Sequence, residues 1–485
     1  MLDSAGCGGA HILIFPYPAQ GHMLPLLDFT HQLAARGLTI TILVTPKNVP
    51  ILSPLLSKYP SIQTLVLPLP PHPSIPAGVE NVKDLPFTSF TALYCALGKL
   101  YDPILHWFRS QPSPPVAIIS DFFLGWTHHL ACQLGIPRIV FSPSSAAAIS
   151  LMHLLWRDLP TRENPNDPNF PITFSKAPNS PTYPWWQLSP IFRSYVQGEP
   201  EMDFIRDSIL ANLASWGIVF NSFKDLDGVY LMNYVREELG PHRVWAVGPL
   251  LPPDDNPSIE RGGSNSVAAG DVMSWLDRFE DHTVVYVCFG SQVVLSNEQM
   301  EALAAALEVS GCRFVWCVKE ASGGSTAFTG GASGVVPSGF EERVGGRGLV
   351  IRGWAPQVLI LRHRAVGAFL THCGWNSVLE ALVAGVPMLA WPMGADQFIN
   401  ARLLVEEKGM AVKLCEGRQV TPNSTELAKA IAESVGAHGP KTKSVRVRAM
   451  ETRQAALHAI NPGGTSFKDL DQLVNDLNGL KLRAK

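Results

Sequence analysis

The stretch FLTHCGWNSVLEALVAGVP, residues 369–387, changes its period in the middle. Val366 to Leu370 is a continuous apolar run, the pattern of a parallel strand covered on both faces, whereas Val378, Leu379 and Leu382 recur at helical spacing. Gly374, Trp375, Asn376 and Ser377 therefore occupy the carboxyl end of a strand and the first turn of a helix. Unpaired backbone N–H groups and the helix dipole favour an anion at such a place. Gly374 lets a phosphate approach the backbone, and Asn376 and Ser377 either cap the helix or add donors.

The same arrangement recurs on both sides. RGWAPQVLILRH puts Trp354, Pro356 and Gln357 after one strand, and WPMGADQFINARLL puts Asp396 and Gln397 after another. A flat aromatic face, an anion site and two side chains suited to a polyol thus share one sheet edge. Base, diphosphate and sugar are the parts of a nucleotide sugar. The strand rhythm HTVVYVCFGS, RFVWCV, GLVIRGW, VGAFLTHC, VPMLAW and MAVKLC repeats one already present in the first half, from HILIFPYP to GIVFNSF. The expected class is α/β, with two doubly wound Rossmann-like domains. Their expected limits are residues 1–250 and 271–463, joined by a Pro-, Gly- and Ser-rich linker at 251–270. A glycine-rich surface loop is expected at 321–334. A proline-rich loop from Arg162 carries Phe170, Phe174, Trp185 and Trp186, aromatics suited to the wall of a substrate cleft.

Composition narrows the partners. With 46% apolar and 16% charged residues and a formal charge of −3, the chain has a large core and no electrostatic reason to bind nucleic acid or an anionic membrane. The amino terminus has no basic segment before its short apolar run, so a cytoplasmic protein without stable membrane insertion is expected. The eight cysteines are scattered without paired CxxC spacing and read as reduced, buried side chains. The two DLD strings, at Asp225 to Asp227 and Asp469 to Asp471, resemble the acidic motif of metal-dependent transferases. They fall at polar helix starts and read as caps and exposed carboxylates, so no metal is expected. The first strand lacks a GxGxxG turn, which argues against a nicotinamide dehydrogenase.

Residues 354–397 resemble, without gaps, the signature of plant secondary-product UDP-glycosyltransferases, members of glycosyltransferase family 1; the likeness extends to the first strand and helix, the Asp121 region and Phe289 to Ser291. It implies the GT-B fold, two domains facing across a cleft, with a last helix at about 464–485 packing back on the first. It further implies that Trp354 stacks on uracil, that Ala355 meets the base, and that Gln357 and Glu380 bind ribose. Ser291, His372, Trp375, Asn376 and Ser377 would hold the diphosphate, and Asp396 and Gln397 the sugar. His22, between the first strand and helix, and Asp121, at a strand end, match the family's His-Asp dyad, with His22 as the base. Tyr17, Phe90, Phe122, Phe123, Met152 and Trp186 are candidates for the acceptor pocket. The implied reaction is inverting transfer from a UDP-sugar co-substrate to a hydroxyl of a small phenolic or flavonoid-type acceptor by a monomer that needs no further cofactor. Gln397 favours UDP-glucose as donor. UDP-xylose and UDP-rhamnose are the alternatives, and a non-catalytic UDP-sugar-binding protein is a further one.

Overall fold

A strand that is apolar on both faces must be covered on both, and the strands of this chain are buried accordingly. The computed structural model describes residues 8–85, 89–235, 243–252, 265–319, 334–435 and 440–483. The chain divides into two units: Met1–Tyr183, Ile191–Pro253 and Ala459–Lys485 form the first, and Pro184–Pro190 with Asp254–His458 the second.

In the first unit the strands are β1 (His11–Phe15), β2 (Thr39–Val44), β3 (Gln63–Val66), β4 (Ala117–Asp121) and β5 (Arg138–Ser142). After them come β6 (Pro171–Thr173), β7 (Thr182–Pro184, whose last residue falls in the second unit), β8 (Gly217–Phe220) and β9 (Val244–Ala246). Seven of these form one sheet in the order β3-β2-β1-β4-β5-β8-β9, all pairs parallel. The order reverses between β1 and β4, which pair from Ile12 opposite Ala117 to Phe15 opposite Ser120. A crevice opens at the carboxyl ends of such a pair because the connections leave it in opposite directions. The chain beyond Phe15 leads to His22, and Asp121 closes β4.

The second unit contains β10 (Val284–Cys288), β11 (Arg313–Val318), β12 (Gly348–Arg352), β13 (Val366–Thr371), β14 (Met388–Ala390) and β15 (Ala411–Lys413). They form a parallel sheet in the order β12-β11-β10-β13-β14-β15. Its switch point lies between β10 and β13, where Cys288 is opposite Thr371. Ser291 follows one of these strands and His372 the other.

The last helix, Thr465–Arg483, packs within the first unit. Leu470, Leu473, Val474 and Leu477 join a core with Ile14, Leu26, Phe29 and Val219. Polar bonds fix its register: Ser466 Oγ donates to the Gly248 carbonyl at 2.6 Å, the Ala246 N–H to Asp469 at 3.0 Å, Arg36 Nε to Asp471 at 2.9 Å, and the Ala10 N–H to Asn478 at 2.9 Å. Leu473 is fully buried, so Leu473→Ala should lower the stability of this unit by about 2–5 kcal/mol, read from its thermal unfolding transition.

Four sequence expectations change. The DLD carboxylates are not simply exposed caps of their own helices. Asp227 is buried and accepts the N–H groups of Ala146 and Ala147, the start of the helix Ala146–Asp158, while Asp469 and Asp471 anchor the last helix. The proline-rich loop contains the β6–β7 hairpin, with Phe174 buried against Tyr183 at 6.2 Å between ring centroids. Strands of three residues leave no period to read. Most of the expected linker and the whole of 321–333 lie outside the described residues, but Ala269 already begins the helix Ala269–Leu276. Among the described cysteines all are free, and Cys132 is exposed rather than buried.

Candidate active site

In the first unit, His22 is the third residue of the helix Gln20–Ala35. Its Nδ1–H donates to Asp121 Oδ2 at 2.8 Å; the imidazole keeps 19% of its side-chain surface exposed, and Asp121 keeps none. The Phe123 N–H donates to Asp121 Oδ1 at 2.9 Å, so both carboxylate oxygens are held. With Nδ1 committed, Nε2 is the nitrogen whose lone pair can accept a proton. Aromatic rings surround the imidazole. Phe123 stacks on it at 4.9 Å and 24°, Phe122 lies at 5.5 Å, and Tyr17 approaches edge-on at 5.6 Å. Phe90 packs against Tyr17 and Phe123. Tyr17 is fully buried, whereas Phe90 and Phe123 are half-buried. Met152 lies half-buried on the helix Ala146–Asp158. Trp186 falls in the second unit, edge-on to Phe398 at 5.1 Å.

In the second unit, the residues expected to hold ribose and phosphate converge. Gln357 Nε2 donates to Ser377 Oγ at 3.0 Å and to Glu380 Oε2 at 2.7 Å, and Tyr286 Oη donates to Gln357 Oε1 at 3.2 Å. Trp354 is half-buried, its main chain pinned by two bonds of 2.9 Å with Ser266. Ala355 is buried, and its carbonyl accepts from the Gln357 N–H at 2.8 Å. The helix Trp375–Ala384 has Gly374 at its N-cap and no side-chain cap. Asn376 and Ser377 are the second and third residues of the helix, past the position from which a side chain folds back on the first turn, so neither is the cap. Its first N–H groups therefore remain suited to an anion.

His372 is gripped by glycine. A β-carbon at Gly290, whose φ is +75°, would lie 2.6 Å from Nε2, and one at Gly374 would press on the same atom. Its Nδ1 is buried with no hydrogen-bond partner among the described residues. Asp396 precedes the helix Gln397–Arg402 and accepts from Asn400 Nδ2 at 3.0 Å. Gln397 is buried, its Oε1 accepting from the N–H groups of Met393 at 2.9 Å and Gly394 at 3.0 Å, so that its remaining hydrogen-bonding capacity is the amide NH2, a donor. Cys373 and Ala395, beside these groups, hold positive φ of 64° and 52°, strained for non-glycine residues and typical of ligand sites.

Burial holds the His372 imidazole well below its usual range, at about 4, and His153, also buried and with neither ring nitrogen bonded, at about 3. Both are neutral in the fold at physiological pH. Below 6.5, the ordinary value, the unfolded chain binds protons that the folded chain refuses. Their contribution to stability is complete above that pH and declines as pH falls, by about 3 kcal/mol at pH 4 for His372 alone. Thermal melts from neutral pH to about pH 4.5 should show this loss, and His153→Leu should flatten part of the slope.

A family model described as UDP-glucoronosyl and UDP-glucosyl transferase matches residues 268–449. UDP-glycosyltransferase 89B2 of Stevia rebaudiana is 59% identical over 97% of this chain and 98% of its own. The chain belongs to the plant UDP-glycosyltransferases of glycosyltransferase family 1. A second relative of this UDP-glycosyltransferase, flavonol 3-O-glucosyltransferase UGT89B1 of Arabidopsis thaliana, is 55% identical over 97% of each chain. Among solved structures, Arabidopsis thaliana UGT89C1 complexed with UDP-L-rhamnose is 41% identical, covers 97% of this chain and 99% of its own, and superposes with a TM-score of 0.79. UGT89C1 is also solved with quercetin. The two parallel-sheet units of this UDP-glycosyltransferase are those of the GT-B fold.

Sequence reading missed several residues that position this UDP-glycosyltransferase's site. Ser266 lay inside the presumed linker. Asn400 donates both to Asp396 and to the Cys373 carbonyl at 3.1 Å, tying that carboxylate to the turn before the helix Trp375–Ala384. Its spacing of four residues from Asp396 on a helix was the available signal. Lys319, just past β11, donates to the Ser291 carbonyl at 2.7 Å, a contact between distant segments with no local pattern. No group of three or more His, Cys, Asp or Glu side chains among the described residues is arranged to hold a metal, and no helix among them is long and apolar enough to cross a membrane.

Proposed function

We propose that the enzyme transfers glucose from UDP-glucose, with inversion, to a hydroxyl of a small phenolic acceptor of the flavonoid type, acting as a cytosolic monomer. The hydrogen bond between His22 and Asp121 at a sheet switch point, inside a ring of aromatic side chains, is the observation that carries this reading. His22 Nε2 takes the acceptor hydroxyl proton. The acceptor oxygen bonds to the anomeric carbon as the bond from that carbon to the diphosphate oxygen breaks, and UDP leaves with the electron pair. The proton stays on the imidazole, whose charge Asp121 balances. At the donor, Trp354 would stack on uracil with Ala355 beside it, and Gln357 and Glu380 would bind ribose. Ser291, His372, Trp375, Asn376, Ser377 and the start of the helix Trp375–Ala384 would take the diphosphate, and Asp396 and Gln397 the sugar. Donors already in place stabilise the departing charge without rearrangement. Phe90 and Phe123, both half-buried, offer an apolar surface to an aromatic acceptor, with Phe122 buried against Phe123.

The acceptor class is supported by the flavonol glucosyltransferase relative and the quercetin complex of UGT89C1. Rhamnose transfer is the second reading, favoured by the UDP-L-rhamnose bound to UGT89C1. Mass spectrometry of a mixed phenolic panel incubated with UDP-glucose, UDP-xylose or UDP-rhamnose tests both readings. A glucoside formed fastest supports glucose, a rhamnoside formed fastest replaces it, and the absence of any glycoside rejects transfer to phenols.

A further inference from the structure

A charged side chain lies behind the dyad, and nothing in the proposed chemistry uses it. Arg138, on β5, is 1% exposed. Among the described residues it has no ion-pair partner, and its donors go to neutral acceptors on two segments, the end of β4 and the turn after the helix Pro200–Ala211. Nε donates to Ser120 Oγ at 2.9 Å, Nη1 to Asn212 Oδ1 at 2.7 Å and Ser215 Oγ at 3.0 Å, and Nη2 to the Asp121 carbonyl at 3.1 Å. Asn212 continues the chain of bonds, its Nδ2 donating to the Phe122 carbonyl at 2.9 Å. Ser208, on the helix Pro200–Ala211, accepts the Trp126 N–H at 2.8 Å and the Tyr94 hydroxyl at 2.9 Å. The main chain that carries Asp121 and Phe122 is thus held from behind by a guanidinium and an amide.

Burying an unpaired charge is costly, and an apolar side chain would fill a parallel strand at no such cost. Burial lowers the guanidinium to about 9, opposed at neutral pH by the nearby Asp121 carboxylate, so it stays protonated. A planar cation with donors in a rigid fork can reach Ser120, Asp121, Asn212 and Ser215 together, and charge-assisted bonds to carbonyls are stronger than neutral ones.

We propose that Arg138, with Asn212, is a positioning residue for the proposed dyad: it locks the main chain at Asp121 and Phe122 so that the carboxylate stays aligned on His22 Nδ1. This inference rests on the proposed role of His22 and Asp121. A displacement of about 1 Å in a catalytic group can cost about 100-fold in rate.

The test compares wild type, Arg138→Met, Arg138→Lys and Asn212→Ala with a phenolic acceptor and the donor that works best, with rates expressed per folded molecule. His22→Ala serves as a control. Arg138→Met should lose about 10- to 100-fold in kcat with donor and acceptor KM unchanged. Arg138→Lys, which keeps a cationic donor, should recover part of this loss. Asn212→Ala, a smaller excision that keeps the guanidinium, should show a weaker loss of the same kind and decides the matter if Arg138→Met does not fold. A wild-type kcat in folded Arg138→Met, or in Asn212→Ala, overturns the inference, as does a loss confined to KM. If His22→Ala turns over like wild type, the dyad itself is wrong, an outcome distinct from failure of the Arg138 prediction.

Discussion

His22→Ala should lower kcat toward a phenolic acceptor by about 10^2- to 10^4-fold while the affinity for UDP, measured by calorimetry, stays at its wild-type value. Nδ1 is committed to Asp121 at 2.8 Å, which fixes the tautomer and leaves Nε2 as the nitrogen able to accept a proton in the proposed mechanism. Alanine removes the proton acceptor and leaves only water, which is neither oriented nor basic enough. UDP affinity should be untouched because the residues proposed to bind UDP, among them Trp354, Ser377 and Glu380, belong to the other unit. Asp121→Asn separates orientation from charge. An amide in the same place can present N–H where the carboxylate presented oxygen, turning the imidazole to the wrong tautomer, so kcat should fall again with little change in KM. An unchanged kcat in both variants would remove the dyad from the mechanism, and a lost UDP affinity in His22→Ala would mean that the histidine acts on the donor.

Gly374→Ala should weaken binding of UDP and of the UDP-sugar by about 10- to 100-fold, close to the effect of His372→Ala. Gly374 has φ −61° and ψ 139°, a conformation alanine adopts freely, so the backbone does not oppose the change. The cost arises because the new methyl group would press on His372 Nε2, an atom that also lies within 2.6 Å of where a Gly290 β-carbon would stand. The ring must leave its place at the helix terminus. Gly374→Ala combined with His372→Ala should then be little worse than His372→Ala alone, because the clash and the ligand disappear together. Titration calorimetry with UDP reads all three variants; additive losses would show that Gly374 acts independently of the histidine.

Much of this was legible in one dimension. The apolar runs around Ile12, Ile119, Val285 and Phe369 could only be strands covered on both faces, and all four lie in parallel sheets. Gly374 to Ser377 stood at a strand-to-helix junction in the sequence and stand there in the fold. Capping was not legible, since it depends on the residue at which φ and ψ turn helical, and that residue is Gly374 rather than Asn376. The β6–β7 hairpin escaped because three residues carry no period. Asp227 looked like a surface carboxylate among polar neighbours, and only the approach of the helix Ala146–Asp158 made it a buried cap.

The sequence alone determined the two-unit α/β class, the strand ends that carry the residues proposed to bind the donor, and the glycine and amide at the turn before the helix Trp375–Ala384, because period and residue chemistry are local quantities. The partnership of His22 with Asp121, the approach of Gly290 and Gly374 to His372, the two hydrogen bonds of Asn400 to Asp396 and the Cys373 carbonyl, and the guanidinium behind the proposed dyad were decided only by tertiary structure. Each joins side chains whose distance is set by strand order, and the order β1-β4 and β10-β13 arises from how helices cover a twisted sheet.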